Sequence, residues 1–151
     1  MHSFWLFTHV LGMVLWLGAG LATMVAGVAA KQFPPQTRLA AYRLTSAVQR
    51  VLVGPGAVAV LVSGVVLSMR FMRAGAIPGW LILMMAAGIL AALLALGVTI
   101  PTAARLGRLD LGPDGDLPES FSGLRRRLVL AASVTGGLVL IALAAGTMLR
   151  T

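Results

Sequence analysis

The residues best suited to hold a cofactor lie on one face of the first apolar segment. His9, Met13 and Trp16 follow one another at intervals of four and three residues, which places them in one stripe of an α-helix. Neutral histidine is the commonest ligand of metals and heme iron, and a methionine thioether is a soft ligand that suits heme iron or copper. The stripe is therefore compatible with heme or copper chemistry.

The elements that position this stripe are membrane helices. The 151 residues are 59% hydrophobic and only 11% charged, with a mean hydropathy of +0.97, whereas a soluble domain carries about 25% charged residues. We expect one all-α domain, residues 1–151, forming an integral membrane, up-down bundle of four transmembrane helices. The predicted spans are about 3–30, 51–71, 80–100 and 124–149.

Prolines and glycines mark special points in two of these helices. An amphipathic stretch from Thr37 to Arg50 should run straight into the second span, where Gly54-Pro55-Gly56 predicts a kink or a loosened turn. Pro101 should bend or end the third helix. Gly56, Val60 and Gly64 recur every four residues, so we expect another helix of the bundle to approach this row closely.

The charges indicate how the chain sits in a membrane. Its 12 basic and 4 acidic residues give a net charge of +8, but the bases lie between apolar runs, which favours lipid headgroups over nucleic acid. Nine of the 12 bases fall in the first and third loops. The positive-inside rule therefore predicts that these loops are cytoplasmic, that both termini lie outside the inner (plasma) membrane, and that His9 lies in the outer half of the bilayer.

An imidazole inside a membrane span must be satisfied, so His9 should face the bundle interior, a cavity or a cofactor. One alternative to a cofactor is a hydrogen bond to a neighbouring helix, for example to Ser63 or Thr135. His2 could add a second metal ligand only near the outer surface. Because the chain has no third histidine, a heme on His9 would be five-coordinate, ligated by His and Met, or completed by another chain.

Several kinds of protein are disfavoured by missing residues. The chain has no cysteine, and its predicted spans contain no Asp, Glu or Lys. The first absence excludes disulfides and thiolate metal sites, and the second disfavours a proton-coupled transporter. No nucleophile with a general base and no phosphate-binding loop is recognisable, so we do not expect a hydrolase.

The pattern His9-x6-Trp16-x-Gly18 resembles the first helix of the CopD-like superfamily. That group includes CopD-type copper-resistance membrane domains, HemJ-type protoporphyrinogen oxidases and uncharacterised families. The resemblance implies a heme or copper site that uses His9, with Trp16 and Gly18 as packing partners. The Arg and Lys of HemJ-type proteins are missing here, which favours one of the uncharacterised families.

These observations lead to three hypotheses. The first is a membrane heme b protein for electron transfer or heme handling, with His9 as axial ligand and Met13, Trp16 and Gly18 around the cofactor. The second is copper binding or transport through His9, Met13 and His2. The third is an accessory subunit that packs in a homo-oligomer or a larger membrane complex, with His9 satisfied in the core.

Overall fold

A computed structural model describes residues 2–73, 75 and 77–148, without the side chains of His2 and Arg70. Every regular element within these residues is a helix, as the sequence predicts. The elements are α1 (His2–Ala29, followed by a 3-10 turn at Ala30–Gln32), α2 (Pro35–Val48), α3 (Gly54–Arg73), α4 (Gly79–Leu94), α5 (Ile100–Leu106) and α6 (Ser120–Met148).

Short π-helical segments join α2 to α3 and α4 to α5, so that each of these two pairs forms one continuous helix. These segments are Gln49–Val53 and Ala95–Thr99. The prediction of one long helix leading into the second span is therefore confirmed. Four continuous helices in the described part of the chain are long and apolar enough to cross a membrane: Ser3–Gln32, Pro35–Arg73, Gly79–Leu106 and Ser120–Met148.

Each π segment ends two residues before a proline. The amide of Gly54 donates to the carbonyl of Gln49, and the amide of Ile100 donates to the carbonyl of Ala95, each five residues back. A proline has no amide hydrogen and its ring crowds the carbonyl four residues earlier, so the wider turn accommodates Pro55 and Pro101 without stopping the helix. For this reason the third helix continues past Pro101 to Leu106.

Helices α1 and α3 pack with their backbones in contact. A Cβ atom added to Gly12 would lie 2.9 Å from the carbonyl oxygen of Gly56, and a Cβ added to Gly56 would lie 2.9 Å from that of Gly12. Further along the same contact, Gly64 faces the ring of His9. The close approach predicted for the row of small residues is therefore confirmed, and the helix that approaches is α1.

Helices α4 and α6 form a second packed pair. Ala87, Ala91 and Ala92 of α4 and Ala142 and Ala145 of α6 are all buried. Trp16 lies in a central core cluster that draws residues from α1, α3, α4 and α6. Many large apolar side chains outside this core are exposed on the outer surface of the helices.

Candidate metal centre

His9 is buried between α1 and α3, with 8% of the residue exposed. Its Nδ1 lies 3.0 Å from the Oγ of Ser63, and a Cβ on Gly64 would lie 3.4 Å from its Cε1. Ser63 is one of the two neighbours that the sequence offered as partners for His9. The other, Thr135, does not contact His9 by a hydrogen bond, and its buried Oγ1 has no partner among the described residues.

The hydrogen bonds of Ser63 fix which nitrogen of His9 carries the proton. The Ser63 hydroxyl donates to the carbonyl of Ala59, with the carbonyl of Val60 3.3 Å away. A hydroxyl has a single proton, so towards His9 the Ser63 Oγ accepts and Nδ1–H donates. We therefore assign the Nδ1–H tautomer, in which Nε2 keeps its lone pair.

His9, Met13 and Trp16 line one cavity of about 60 Å³, which lies between the α1/α3 pair and the α4/α6 pair. Helix α4 adds two further thioethers, from Met84 and Met85. One imidazole and three methionines therefore share a single cavity. The other lining residues are apolar or glycine: Val60, Leu61, Gly64, Val65, Leu81, Gly88, Ile89, Val139 and Ala142.

Sequence reasoning did not select Met84 and Met85. The only signal was a pair of adjacent methionines in the third span, and nothing local to that pair says which helix it faces. Burial in the assembled bundle is what separates them from a methionine such as Met24, which is 65% exposed.

One of the other predicted site residues, Gly18, lies away from the cavity. Gly18 is exposed, does not line the cavity, and has nothing within 4 Å of the position of a Cβ. It is nine residues from His9, or two and a half turns, which places it on the opposite side of α1. The side chain of His2 is outside the described part of the structure, so its role as a metal ligand stays a prediction.

The donor set of the cavity suits a soft metal ion. No group of three or more His, Cys, Asp or Glu residues that could hold a metal occurs within the described residues, so the oxygen-rich sites that magnesium and calcium prefer are missing there. Thioethers and a neutral imidazole are instead ligands that suit Cu(I). The His and Met side chains that line the cavity are therefore of the types that suit Cu(I).

The same residues do not fit a heme in this arrangement. A cavity of about 60 Å³ has room for only a few water-sized groups, and none of its lining residues is an Arg or Lys that could pair with the heme propionates. The heme hypothesis stays a prediction.

Comparisons with protein-family models, with curated proteins and with solved structures give no match.

Proposed function

We propose that this protein spans a membrane as an up-down bundle of four helices and binds Cu(I) in the cavity beside His9. The observation that carries the proposal is the meeting of His9 and Met13 of α1 with Met84 and Met85 of α4 around one cavity. The resemblance of the His9–Gly18 motif to CopD-type proteins, itself a prediction, supports the same choice of metal.

The outer surface of the helices supports insertion in a bilayer. Large apolar residues such as Phe7, Val14 and Leu21 are more than 60% exposed, as expected for side chains that face lipid. Trp80, near the start of α4, also packs edge to face on Phe71, near the end of α3, where membrane proteins place such rings. The excess of bases in the first and third loops supports termini on the outside.

Within this proposal, each polar group at the cavity has a defined task. His9 supplies the lone pair of Nε2, and Ser63 holds the ring in the required tautomer by accepting from Nδ1–H. Met13, Met84 and Met85 supply neutral sulfur atoms. Copper bound by these ligands would be held away from water by the apolar lining, which suits storage of Cu(I) or its passage across the membrane.

The test is a copper titration of the purified protein in detergent or nanodiscs, under reducing conditions and against a competing Cu(I) chelator. We expect the wild type to bind Cu(I), His9→Ala to lose binding, and Met84→Leu and Met85→Leu to weaken it. Met24→Leu is the matched control, because Met24 is exposed on the outside of α1. Absence of copper above background, or binding by His9→Ala equal to that of the wild type, would refute the proposal.

An absorption spectrum of the same protein distinguishes the other hypotheses. After expression with ample heme, a Soret band in the wild type that disappears in His9→Ala would establish a heme protein instead. A colourless protein that binds no copper and co-purifies with a membrane partner would support an accessory subunit.

A further inference from the structure

A second pocket lies at the other end of the bundle, and two arginines from different helices line it. Arg38 belongs to α2 and Arg125 to α6. Both are partly buried, whereas the neighbouring Arg126 and Arg127 are exposed. The remaining lining residues are Leu117, Pro118, Glu119, Phe121 and Ser122.

Both guanidinium groups are held in place by one hydrogen bond each. Arg125 Nε donates to the hydroxyl of Tyr42 at 3.0 Å, and the ring of Tyr42 packs edge to face on Phe121 with 5.3 Å between the centroids. Arg38 Nη2 donates to the carbonyl oxygen of Lys31 at 3.1 Å. Each arginine therefore keeps several N–H groups available for a ligand.

Neither arginine forms an ion pair with a carboxylate among the described residues. Among the described residues, the ion pair present is Arg43–Asp110 at 2.7 Å, and Glu119 lies in the same pocket without pairing with Arg38 or Arg125. Two cations that converge on one pocket repel each other. An anion bound between them would offset that repulsion.

The chemistry of the pocket indicates which anion fits. The planar guanidinium fork matches the oxygens of a phosphate group, which it can bind through two parallel hydrogen bonds. The apolar side chains of Leu117 and Phe121 line the same pocket and suit the glycerol and upper acyl carbons of a lipid rather than a fully hydrated ion. Basic pockets between membrane helices are known to hold anionic lipid headgroups.

We propose that the pocket of Arg38 and Arg125 binds the phosphate group of an anionic phospholipid. The inference is independent of copper binding, because this pocket shares no residue with the cavity of His9.

The experiment measures binding of phosphatidylglycerol to the detergent-purified full chain by native mass spectrometry, with phosphatidylcholine as the uncharged comparison. We expect Arg38→Gln and Arg125→Gln each to weaken phosphatidylglycerol binding by about tenfold or more, since each removes charge-assisted hydrogen bonds. Arg126→Gln, which removes the same charge from an exposed neighbour, should change binding less than about twofold. Equal losses for Arg125→Gln and Arg126→Gln would overturn the proposal, because binding would then reflect surface charge alone.

Two further arms complete the test. Glu119→Gln removes the carboxylate of the pocket and should tighten lipid binding, so a weaker complex would contradict the proposal. Inorganic phosphate at millimolar concentration should not displace the lipid; full displacement would show that the site takes free phosphate and would overturn the lipid assignment. Circular dichroism of every variant checks that a loss of binding is not a loss of fold.

Discussion

The α1/α3 pair and the α4/α6 pair face each other across the cavity of His9, and they pack by different means. In α1/α3 the backbones meet at Gly12 and Gly56, and a hydrogen bond joins His9 to Ser63. In α4/α6 the comparable close contact at Gly146 is made by the Sδ atom of Met84, 3.0 Å from the position of a Cβ. We call the α1/α3 side of the cavity the fixed wall, because backbone contact holds this pair together, and the α4/α6 side, which includes Met84 and Met85, the flexible wall.

This difference matters for the proposed site. The fixed wall provides the ligand with a directional lone pair, the imidazole of His9. The other wall provides Met84 and Met85, whose unbranched side chains adapt to irregular spaces. An orientation-sensitive ligand on a rigid wall, opposite adjustable thioethers, would allow copper to bind without movement of the helices.

The largest effect on stability is expected when the contact between Gly12 and Gly56 in the fixed wall is disrupted. Gly12→Ala puts a Cβ 2.9 Å from the carbonyl oxygen of Gly56, and backbone cannot move aside as a side chain can. We expect a loss of about 1–3 kcal/mol in the free energy of unfolding, the usual cost of overpacking. Denaturant unfolding in detergent, followed by circular dichroism, measures it.

Gly18→Ala is the matched control for Gly12→Ala. It makes the same change in the same helix, at a position with nothing within 4 Å of the added atom. Alanine favours the helix over glycine by up to about 1 kcal/mol, so this variant should be neutral or slightly more stable. Equal destabilisation by both variants would show that the close contact of Gly12 with Gly56 does not cause the loss of stability.

The next effect concerns the link between the fixed wall and the proposed metal. Ser63→Ala removes the side-chain acceptor of the His9 Nδ1–H, so the tautomer and the ring orientation are held less firmly. We expect Cu(I) affinity to fall about 10- to 100-fold, as for other partners of ligating histidines. Chelator competition measures the affinity. Ser68→Ala is the control, because Ser68 is equally buried but bonds only to the carbonyl of Val65; similar losses in both variants would contradict the role of Ser63.

A smaller effect is expected from adding the same methyl group to the flexible wall. In Gly146→Ala the added atom meets the end of the Met84 side chain, which can change rotamer. The free energy of unfolding should therefore change by less than about 1 kcal/mol, below the 1–3 kcal/mol expected for overpacking against backbone. The unfolding curves of Gly12→Ala and Gly146→Ala, measured side by side, test this expectation. If Gly146→Ala lost as much unfolding free energy as Gly12→Ala, the two walls would not differ.

The smallest effect is expected at Thr135 of α6. Its buried hydroxyl has no hydrogen-bond partner among the described residues, so Thr135→Val removes an unsatisfied polar group and keeps the shape of the side chain. Stability should be unchanged or raised by up to about 1 kcal/mol. A clear loss in the unfolding experiment would show that this hydroxyl does have a partner in the folded protein.

What the sequence by itself determined is local to each helix. The helical period joined His9, Met13 and Trp16 in one stripe, and the row from Gly56 to Gly64 showed where another helix would approach, because both patterns depend only on 3.6 residues per turn. The choice of Ser63 as a partner for His9 also came from the sequence, as one of two polar candidates.

Only the tertiary structure determined the contacts between different helices, which depend on how each helix is rotated and shifted against its neighbours. It selected Ser63 over Thr135, and it brought Met84 and Met85 to the cavity of His9, because the facing of one helix against another is set by packing over the whole bundle. It also carried the third helix past Pro101, since the π segment before it provides a wider turn. The cavity residues that share one helix can thus be predicted from the chain, whereas the cavity residues of another helix are fixed by packing.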